Sequence, residues 1–502
     1  MTTLAETGGQ SPRSTRRLWL YGAGMLVPAA YFAWRYPLAG NTARLVDIGI
    51  MSNYRPAGFV TFVGGLGVLF VLYALALRES RRLPARQALP AVFAIAAGLG
   101  LLMALMYPVN AIDLFIYAVR SHLFTAHGVD PNAITPSTFR GDPWVPFAGG
   151  WVNAVSPYGP LWNLLAAPVT WLAGDRLGAA LFGFKALALA AYLAGGWAVA
   201  GATRDRPAGT PSGALFYLWN PLVLWEGVGN GHNDLVVAFL LALSLLAWTR
   251  HRDDWVIPPL VLATLVKYVT ALLLPLAVVA LWRRVPAGPD RRRLVLLTLG
   301  VSVLAAIVAL SPFFDVVAVW RSVRDQQNII LSSPLELALT LPALLNRFPA
   351  GAIERWGMGL GEAATLLALG VAALALWTRP ARLAAACFEV LYVFLLLATW
   401  NFRPWYLIWL VAAAAVLPGR WPALRTALWT AGALGGYAVL IWLRAWWGNG
   451  HDLRLVAVAV GVIFAPTALA TLAELGWRAV RVTRTTPVGV AGRTGAGASR
   501  RG

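Results

Sequence analysis

The chain has 502 residues, of which 59% are hydrophobic and only 12% are charged. Soluble domains carry roughly 25% charged residues, so this composition excludes a water-soluble enzyme. The 41 Lys and Arg outnumber the 21 Asp and Glu, giving a net charge of +20. In a soluble protein such a balance suggests nucleic-acid binding. Here the basic residues cluster in short connectors between apolar runs, as in cytoplasmic loops of membrane proteins. The single cysteine, Cys387, excludes an intrachain disulfide and a cysteine-based metal site.

Apolar runs long enough to cross a bilayer recur along the chain, and they predict an all-α polytopic membrane protein with about 12–14 transmembrane helices. In chain order, spans are predicted near residues 18–36, 57–77, 89–107, 177–202, 235–249, 294–310, 357–377, 383–400, 405–417, 424–443 and 455–475, with a further span ending at Glu226. Residues 161–173 are too few for a full crossing and predict a re-entrant or interfacial segment. Residues 256–282 have basic flanks on both sides, which favours two short helices meeting near Lys267 and Tyr268 with both ends in the cytoplasm.

The distribution of charge predicts which connectors lie on which side of the membrane. Residues 1–17 and 478–502 form basic tails that are predicted to be cytoplasmic, and the second is polar and repetitive enough to predict disorder. Residues 18–477 form one transmembrane domain with two large outer loops, 108–160 and 313–349, which contain short interfacial helices. The outer connectors hold nearly all of the acids, histidines, asparagines and tryptophans. We therefore expect a plasma-membrane protein whose working face is extracytoplasmic.

Asp113 follows an apolar helix and opens the longest polar interruption in the chain, residues 110–160. Ionisable residues near the membrane are usually functional, so Asp113 is a candidate general base for a reacting hydroxyl. Tyr117 and Arg120 follow at helical spacing on the same face, where they can orient the carboxylate or contact substrate. The alternative is an interfacial helix in which Asp113 only forms an ion pair with Arg120.

A second polar cluster runs from Glu226 to Asp234 and includes His232 and Asn233. Its glycines allow tight backbone turns and close approach of a ligand. Metal binding through His232 and Asp234 is a weak alternative, because two ligands do not complete a site. A second alternative is a plain polar turn that caps the next helix through Asn233 or Asp234. We favour contact with a sugar or phosphate, because amide, imidazole and carboxylate groups suit recognition of hydroxyls.

Two further side chains in outer connectors are candidate substrate contacts. Tyr158 lies in a Pro-Tyr-Gly-Pro turn just before the short apolar segment 161–173. Arg403 lies between Phe402 and Trp405 in a very short loop, and it can clamp a lipid phosphate through charge-assisted hydrogen bonds. The alternative for Arg403 is snorkelling toward lipid headgroups.

The remaining ionisable residues in apolar runs need partners. Lys267 is predicted to snorkel or to pair, and Glu362 and Glu389 need interior partners. The sequence contains no Gly-rich phosphate loop, no Cys/His zinc spacing and no Gly-x-Ser-x-Gly elbow, so we expect no metal and no cofactor. No polar stretch reaches the size of a nucleotide-sugar domain. A glycosyl donor would therefore have to arrive through the membrane.

The order of motifs between residues 110 and 275 resembles a known class of membrane enzyme. The first outer loop resembles that of GT-C membrane glycosyltransferases in the motifs Asp113-Leu-Phe-Ile-Tyr117, His127-Gly-Val-Asp-Pro131, Thr135-Pro136, Asp142-Pro143 and Ser156-Pro-Tyr-Gly-Pro160-Leu-Trp162. The next segment resembles the actinobacterial polyprenol-phosphate-mannose-dependent α-(1→6) mannosyltransferases in Asn220-Pro221, Glu226, Gly231-His-Asn-Asp234 and Lys267-Tyr268. One departure is Asn132, which follows Pro131 where those enzymes have an aromatic residue.

This resemblance implies a GT-C-like helical bundle and an inverting transfer at the outer face. A sugar, with mannose expected, would pass from a polyprenyl-phosphate carrier to a lipid-linked or polysaccharide acceptor in lipomannan-type cell-envelope synthesis. Asp113 would be the general base, and His232, Asn233 and Asp234 would line the site. The expected partners are the donor lipid, a glycolipid or glycan acceptor and membrane lipids, without nucleic acid.

Two other classes of function remain open on the sequence. One is a glycolipid transporter or flippase, and the other is a non-catalytic membrane partner in envelope assembly. Transporters tend to have inverted repeats and a polar site at the bilayer midplane. This chain has no clear repeat, and its polar groups gather at one face, which favours the transferase.

Overall fold

A computed structural model describes residues 15–206, 209–312, 315, 317–318, 320–321, 332–345, 350–448 and 453–485. These residues form helices and turns without a strand, and they contain one isolated β-bridge, between Pro37 and Met106. The expected all-α polytopic membrane fold is confirmed. Residues 1–14 of the N-terminal tail, residues 313–314, 316, 319, 322–331 and 346–349 of the outer loop, and residues 486–502 of the C-terminal tail lie outside the described residues.

The helices are numbered here in chain order. The N-terminal half contains α1 (Arg16–Arg35), α2 (Ile48–Met51), α3 (Pro56–Ser80), α4 (Ala85–Leu105), α5 (Asp113–His127), α6 (Pro160–Ala173), α7 (Leu177–Ala202), α8 (Gly209–Leu218) and α9 (Asp234–Thr249). The rest contains α10 (Ile257–Val266), α11 (Leu274–Arg284), α12 (Pro289–Leu310), α13 (Pro334–Leu345), α14 (Ala350–Thr378), α15 (Leu383–Val393), α16 (Leu407–Ala415), α17 (Arg420–Tyr437), α18 (Arg444–Trp447) and α19 (Leu453–Thr485).

Within the described ranges, eight helical segments are long and apolar enough to cross a membrane, and nine if a bent pair is counted as one span. The other apolar runs form shorter or broken helices, so complete spans are fewer here than the 12–14 crossings counted from hydropathy. Large apolar side chains such as Leu304 on α12 and Leu374 on α14 are exposed, as expected of surfaces that contact lipid. The last helix, α19, continues to Thr485, past Arg478, where the sequence predicts the start of a disordered tail.

The first outer loop is built on short helices. α5 begins at Asp113 and ends at His127, and Gly128 caps it with a φ of +66° and an amide that donates to the Phe124 carbonyl at 3.0 Å. Glycine suits this left-handed position because it has no Cβ. Two 3₁₀ turns, Pro136–Phe139 and Val145–Trp151, follow before α6. The loop therefore contains the short helices expected from the sequence.

The segment between α9 and α12 has the expected break. Lys267 is extended, with φ of −152°, and separates α10 from a 3₁₀ turn that leads into α11. The two ends of the segment lie close together, because Arg284 Nε lies 3.4 Å from Asp253 Oδ1 and Arg284 Nη1 donates to the Trp248 carbonyl at 2.9 Å. The chain therefore enters and returns at one end of the bundle, in agreement with the predicted pair of short helices.

The connection from α8 to α9 is a buried break instead of an exposed loop. Asn220 Oδ1 accepts from the Leu222 amide at 3.0 Å and starts a π-helical turn, Val223–Gly229. Gly231, with φ of +78°, then reverses the chain, so that the π turn and α9 are bent by 118°. Lys185 of α7 donates to the Val228 carbonyl at 3.0 Å and to the Gly229 carbonyl, which satisfies backbone groups left free by the break.

Candidate active site

A cavity of about 1060 Å³ opens at the end of the bundle where α5 begins. Its walls come from the chain before α5, the 3₁₀ turn near Gly150, the break at Lys267, the middle of α14 and the connector between α15 and α16. Its charged lining residues are Asp47, Asp113, Arg120, Lys267, Glu362 and Arg403. Aromatic side chains from both halves of the chain complete the lining, so the cavity offers an acid, several cations and flat apolar surfaces in one space.

The half-buried carboxylate of Asp113 faces the cavity and is held from one side. The Tyr158 hydroxyl donates to Asp113 Oδ1 at 2.7 Å. Burial and the neighbouring Asp113 charge raise the pKa of Tyr158 well above its ordinary value, so its hydroxyl keeps the proton that it donates. Within the described part of the chain, Asp113 has no ion-pair partner, so the alternative of a simple pair with Arg120 is not what the structure has.

Asn132 holds Tyr158 in place from behind. Its Nδ2 donates to the Ser156 and Tyr158 carbonyls, both at 2.9 Å, and its Oδ1 accepts from Asn163 Nδ2 at 2.8 Å. Asn132 is buried, so each of these bonds satisfies a group that water cannot reach. The residue that departs from the resembled family therefore has a structural role here: it fixes the turn that carries Tyr158.

Arg120 lines the cavity, but its main role is structural. Its Nη2 donates to the Ala154 and Val155 carbonyls, each at 3.0 Å, and this ties α5 to the loop. Burial lowers the pKa of Arg120 to about 10, and the side chain stays protonated at neutral pH. Tyr117, on the same helix, does not line the cavity: its ring packs against Tyr158 with centroids 5.0 Å apart.

Lys267 and Asp234 form an ion pair at the edge of the cavity. Lys267 Nζ lies 2.8 Å and 3.0 Å from the two oxygens of Asp234, which is fully buried. The same ammonium lies 4.7 Å from the centre of the Tyr406 ring and 5.2 Å from that of Trp409. The sequence prediction that Lys267 pairs or snorkels is therefore resolved in favour of pairing, with the ammonium between a carboxylate and two aromatic faces.

Arg403 is the cation with the fewest protein contacts in this cavity. Its guanidinium lies 5.7 Å from the centre of the Trp405 ring, and among the described residues it has no hydrogen bond or ion pair. Trp405 in turn stacks on His232, with ring centroids 3.9 Å apart. Trp405 lines the cavity whereas His232 does not, so the indole forms the wall in front of the imidazole.

The predicted cluster from Glu226 to Asp234 lies behind that wall. Glu226 Oε2 accepts from Asn230 Nδ2 at 2.8 Å and lies 3.4 Å from His232 Nε2. The side-chain amide of Asn233 has no hydrogen-bond partner among the described residues. Of the site residues predicted from the sequence, Asp113, Arg120, Tyr158 and Arg403 line the cavity, whereas Tyr117, Glu226, His232, Asn233 and Asp234 are buried beside it.

Several lining residues were not in the predicted site. Lys267 contacts Asp234, and Tyr268 lies next to it. Trp409 comes from the start of α16, and Tyr406 from the 3₁₀ turn just before that helix. Glu362, read from the sequence only as an acid in need of a partner, is exposed toward the cavity. The sequence did hold a clue to two of these residues in their positions: Lys267 interrupts an apolar run, and Tyr406 follows Arg403 in the same short connector. The described residues contain no cluster of three or more His, Cys, Asp or Glu side chains suited to a metal ion.

A polytopic helical membrane protein with a carboxylate and cations in a wide cavity at one end defines a candidate membrane-embedded transferase. Residues 16–283, more than half of the chain, match the model of a protein family described as alpha-(1->6)-mannopyranosyltransferase, N-terminal domain. The chain therefore belongs to this family, and the resemblance inferred from the sequence motifs is confirmed. The matched region contains Asp113, Tyr158, Asp234 and Lys267.

Two curated relatives show the same relationship at low identity. Alpha-(1->6)-mannopyranosyltransferase A of Corynebacterium glutamicum is 23% identical over 193 residues, which are 36% of this chain and 39% of that protein. Alpha-(1->6)-mannopyranosyltransferase B of the same organism is 28% identical over 153 residues, which are 29% of this chain and 25% of that protein. The alignments thus span well under two thirds of either relative.

Proposed function

We propose that this protein transfers a mannosyl residue, with inversion, from a polyprenyl-phosphate carrier to a hydroxyl of a lipid-linked or polysaccharide acceptor. The carrying observation is that the Asp113 carboxylate shares one cavity with Arg403 and Lys267. Such a cavity brings a proton acceptor and phosphate-binding cations to the same substrate. The family match and the mannosyltransferase names of both relatives support mannose as the sugar.

Asp113 acts as the general base. Its Oδ1 is occupied by the Tyr158 hydroxyl, and in the described part of the chain Oδ2 accepts no hydrogen bond from protein. The acceptor hydroxyl donates its proton to Oδ2 while its oxygen attacks the anomeric carbon of the mannosyl residue. The bond from that carbon to the phosphate oxygen breaks, and its electron pair leaves with the phosphate. One displacement from the opposite side inverts the anomeric configuration.

Arg403 binds the phosphate as its charge grows. The leaving group changes from a phosphodiester to a phosphomonoester and gains negative charge, which a nearby cation stabilises more strongly in the transition state than in the ground state. Arg403 is free for this contact, whereas Lys267 already shares its charge with Asp234. Lys267 is the second cation in reach of the cavity and can contribute one donor without leaving Asp234.

The buried cluster behind Trp405 takes a positioning role in this proposal. Direct contact of a sugar with His232, Asn233 or Asp234 would require Trp405 to move aside. Trp405, Tyr406 and Trp409 present apolar faces to the cavity, where they can stack on sugar rings or on the first isoprene units of the donor.

We propose further that the cavity faces the extracytoplasmic side in a cell-envelope pathway of the lipomannan type. The end of the bundle opposite the cavity carries Arg204 and Arg250 in its connectors and Arg284 at the end of α11, and basic residues at helix ends favour the cytoplasm. A polyprenyl-phosphate donor fits this geometry because its chain can stay in the membrane while its sugar enters the cavity.

The test is Asp113→Asn in the purified full chain, reconstituted in liposomes with polyprenyl-phosphate mannose and an α-(1→6)-linked mannoside acceptor. Asparagine keeps an oxygen for Tyr158 and removes the base, so kcat is expected to fall about 10²- to 10⁴-fold while the protein melts at an unchanged temperature. The matched control is Asp175→Asn, an exposed acid between α6 and α7 outside the cavity, which should retain full activity. Wild-type rates for Asp113→Asn, or lipid flipping without any new glycosidic bond, would overturn the proposal.

A further inference from the structure

A second groove lies at the opposite end of the bundle from the candidate active site. It has a volume of about 740 Å³ and is formed where α7 ends, α9 ends and α10 begins. The separation is set by α9: Asp234, at its start, contacts Lys267 of the cavity, whereas Arg250, just after its end, lines the groove. At 1.5 Å per residue, a helix of this length places the two sites roughly 24 Å apart.

The groove combines an apolar floor with aromatic walls. Leu243, Leu246 and Ala247 of α9 form the floor together with Pro259. Trp197 and Trp255 stand at its sides, with exposed fractions of 58% and 60%. Tryptophan is enriched where a membrane protein meets the headgroup region, because its ring is apolar and its N–H is polar. The floor can therefore take an acyl chain at the level where its headgroup begins.

Three arginines line the same groove, and no acidic residue does so within the described part of the chain. Arg250 is partly committed, because its Nη2 donates to the Gly201 carbonyl at 2.8 Å and its Nη1 lies 3.3 Å from the exposed Asp205. Arg204 and Arg252 are exposed, and among the described residues the guanidinium group of neither has a hydrogen-bonded or ion-paired partner. The groove thus has cationic groups without matching anions directly beside an apolar channel.

We infer that this groove binds an anionic phospholipid, with its phosphate between Arg204 and Arg252 and one acyl chain over the floor of α9. Charge complementarity selects a negative headgroup, because two unpaired guanidinium groups offer charge-assisted hydrogen bonds to phosphate oxygens. The apolar floor and the two exposed indoles select a lipid over a soluble anion, since a free phosphate would leave both uncovered. The site is independent of the transfer reaction.

The test is native mass spectrometry of the delipidated full chain, titrated with phosphatidylglycerol. The probe variant is Arg204→Gln with Arg252→Gln. The matched control is Arg81→Gln with Arg86→Gln, which removes two exposed cations, one from the connector between α3 and α4 and one from the first turn of α4, both outside the groove. The probe variant is expected to bind phosphatidylglycerol about 30-fold more weakly, since each lost cation contributes about a fivefold preference for an anionic lipid. The control should bind like the wild type.

Three results would overturn the inference. Equal weakening in both double variants would indicate general surface charge instead of a groove. If phosphatidylcholine with the same acyl chains bound equally well, the arginines would not select an anionic headgroup. Binding of inorganic phosphate that displaces phosphatidylglycerol at equal concentration would identify a soluble anion as the occupant. Because Arg204 and Arg252 are exposed, their replacement should leave the melting temperature of the lipid-free chain unchanged, and this measurement accompanies the titration.

Discussion

Two polar segments of the N-terminal half, residues 108–158 and residues 226–234, carry similar side chains in opposite surroundings. The first lines an open cavity with Asp113 half-buried, while the second is sealed, with Glu226 and Asp234 fully buried. In the open segment a carboxylate keeps one oxygen free of protein contacts. In the sealed segment Asp234 forms an ion pair with Lys267, while Glu226 accepts a hydrogen bond from Asn230 and lies beside His232. The comparison teaches that a cluster of polar side chains near a membrane can either line a reaction site or hold that site in place. Whether the side chains are buried distinguishes the two roles.

The ion pair of Lys267 and Asp234 joins the open region to the sealed one and gives the largest expected effect. Lys267→Met leaves the buried Asp234 carboxylate without its partner, which should lower the free energy of unfolding by about 3–5 kcal/mol. The double variant with Asp234→Asn removes both charges and should recover most of that loss. Thermal unfolding of the detergent-solubilised chain measures both. If the double variant is as unstable as Lys267→Met, the uncompensated carboxylate is not the cause.

Arg403 tests the open side of the comparison. Arg403→Ala removes the cavity cation whose guanidinium has neither a hydrogen bond nor an ion pair in the described residues, and it should lower kcat/KM for the polyprenyl-phosphate donor about 10- to 100-fold. Arg403→Lys should recover part of this because it keeps the charge but loses the planar fork. Initial rates over a range of donor concentrations give the result. The control, Arg321→Ala, replaces an exposed arginine that does not line the cavity and should leave the rates unchanged. If the only change were a higher KM for the acceptor, Arg403 would bind the acceptor instead of the donor.

Asn132 tests how the open site is held. Asn132→Ala removes the bonds to the Ser156 and Tyr158 carbonyls. The Tyr158 carbonyl keeps a donor in the Tyr268 hydroxyl at 3.5 Å, but the buried Ser156 carbonyl loses its side-chain donor, and the change should cost about 1–3 kcal/mol of stability. Because Tyr158 then loses its fixed position, kcat should also fall, by less than in Asp113→Asn. Melting temperatures and single-turnover rates check the two effects. If Asn132→Ala shows the expected loss of stability but an unchanged kcat, then Tyr158 does not orient Asp113.

The apolar helices and the position of Asp113 at the start of a polar segment were predictable because hydropathy and charge act locally along the chain. The emergence of Asp113 after α4 and the break at Lys267 both follow from residues next to them in sequence. The cavity was only partly predictable, since Glu362 and Arg403 meet Asp113 through the packing of distant helices, which hydropathy does not encode. The sealed position of Glu226 to Asp234 was missed for the same reason. Lys185, a lone cation in the apolar α7, was the available signal that buried carbonyl groups lay opposite.

A third polar group, in the loop that covers the open site, predicts the smallest effect. Asp142 lies 2.9 Å from His127 Nε2 and 3.2 Å from His122 Nε2, and its Oδ1 accepts from the Trp144 amide at 2.8 Å. Burial acts to raise its pKa, but the bonds from His127 and Trp144 and the charges of both histidines outweigh it and hold the pKa below its usual value.

A carboxyl with a lowered folded-state pKa stabilises the protein above the unfolded pKa of about 4, and that contribution disappears as pH falls through the folded value. Melting temperatures measured from pH 6 to pH 3 should therefore drop less steeply below pH 4 in Asp142→Asn than in the wild type, from a lower starting point. The exposed Asp175→Asn should keep the wild-type slope, because that carboxylate has no hydrogen bond or ion pair in the described residues. Identical slopes for Asp142→Asn and the wild type would mean that the two histidines do not stabilise the ionised Asp142, and the hydrogen bonds of Arg120 and Asn132 would then be what holds this loop in place.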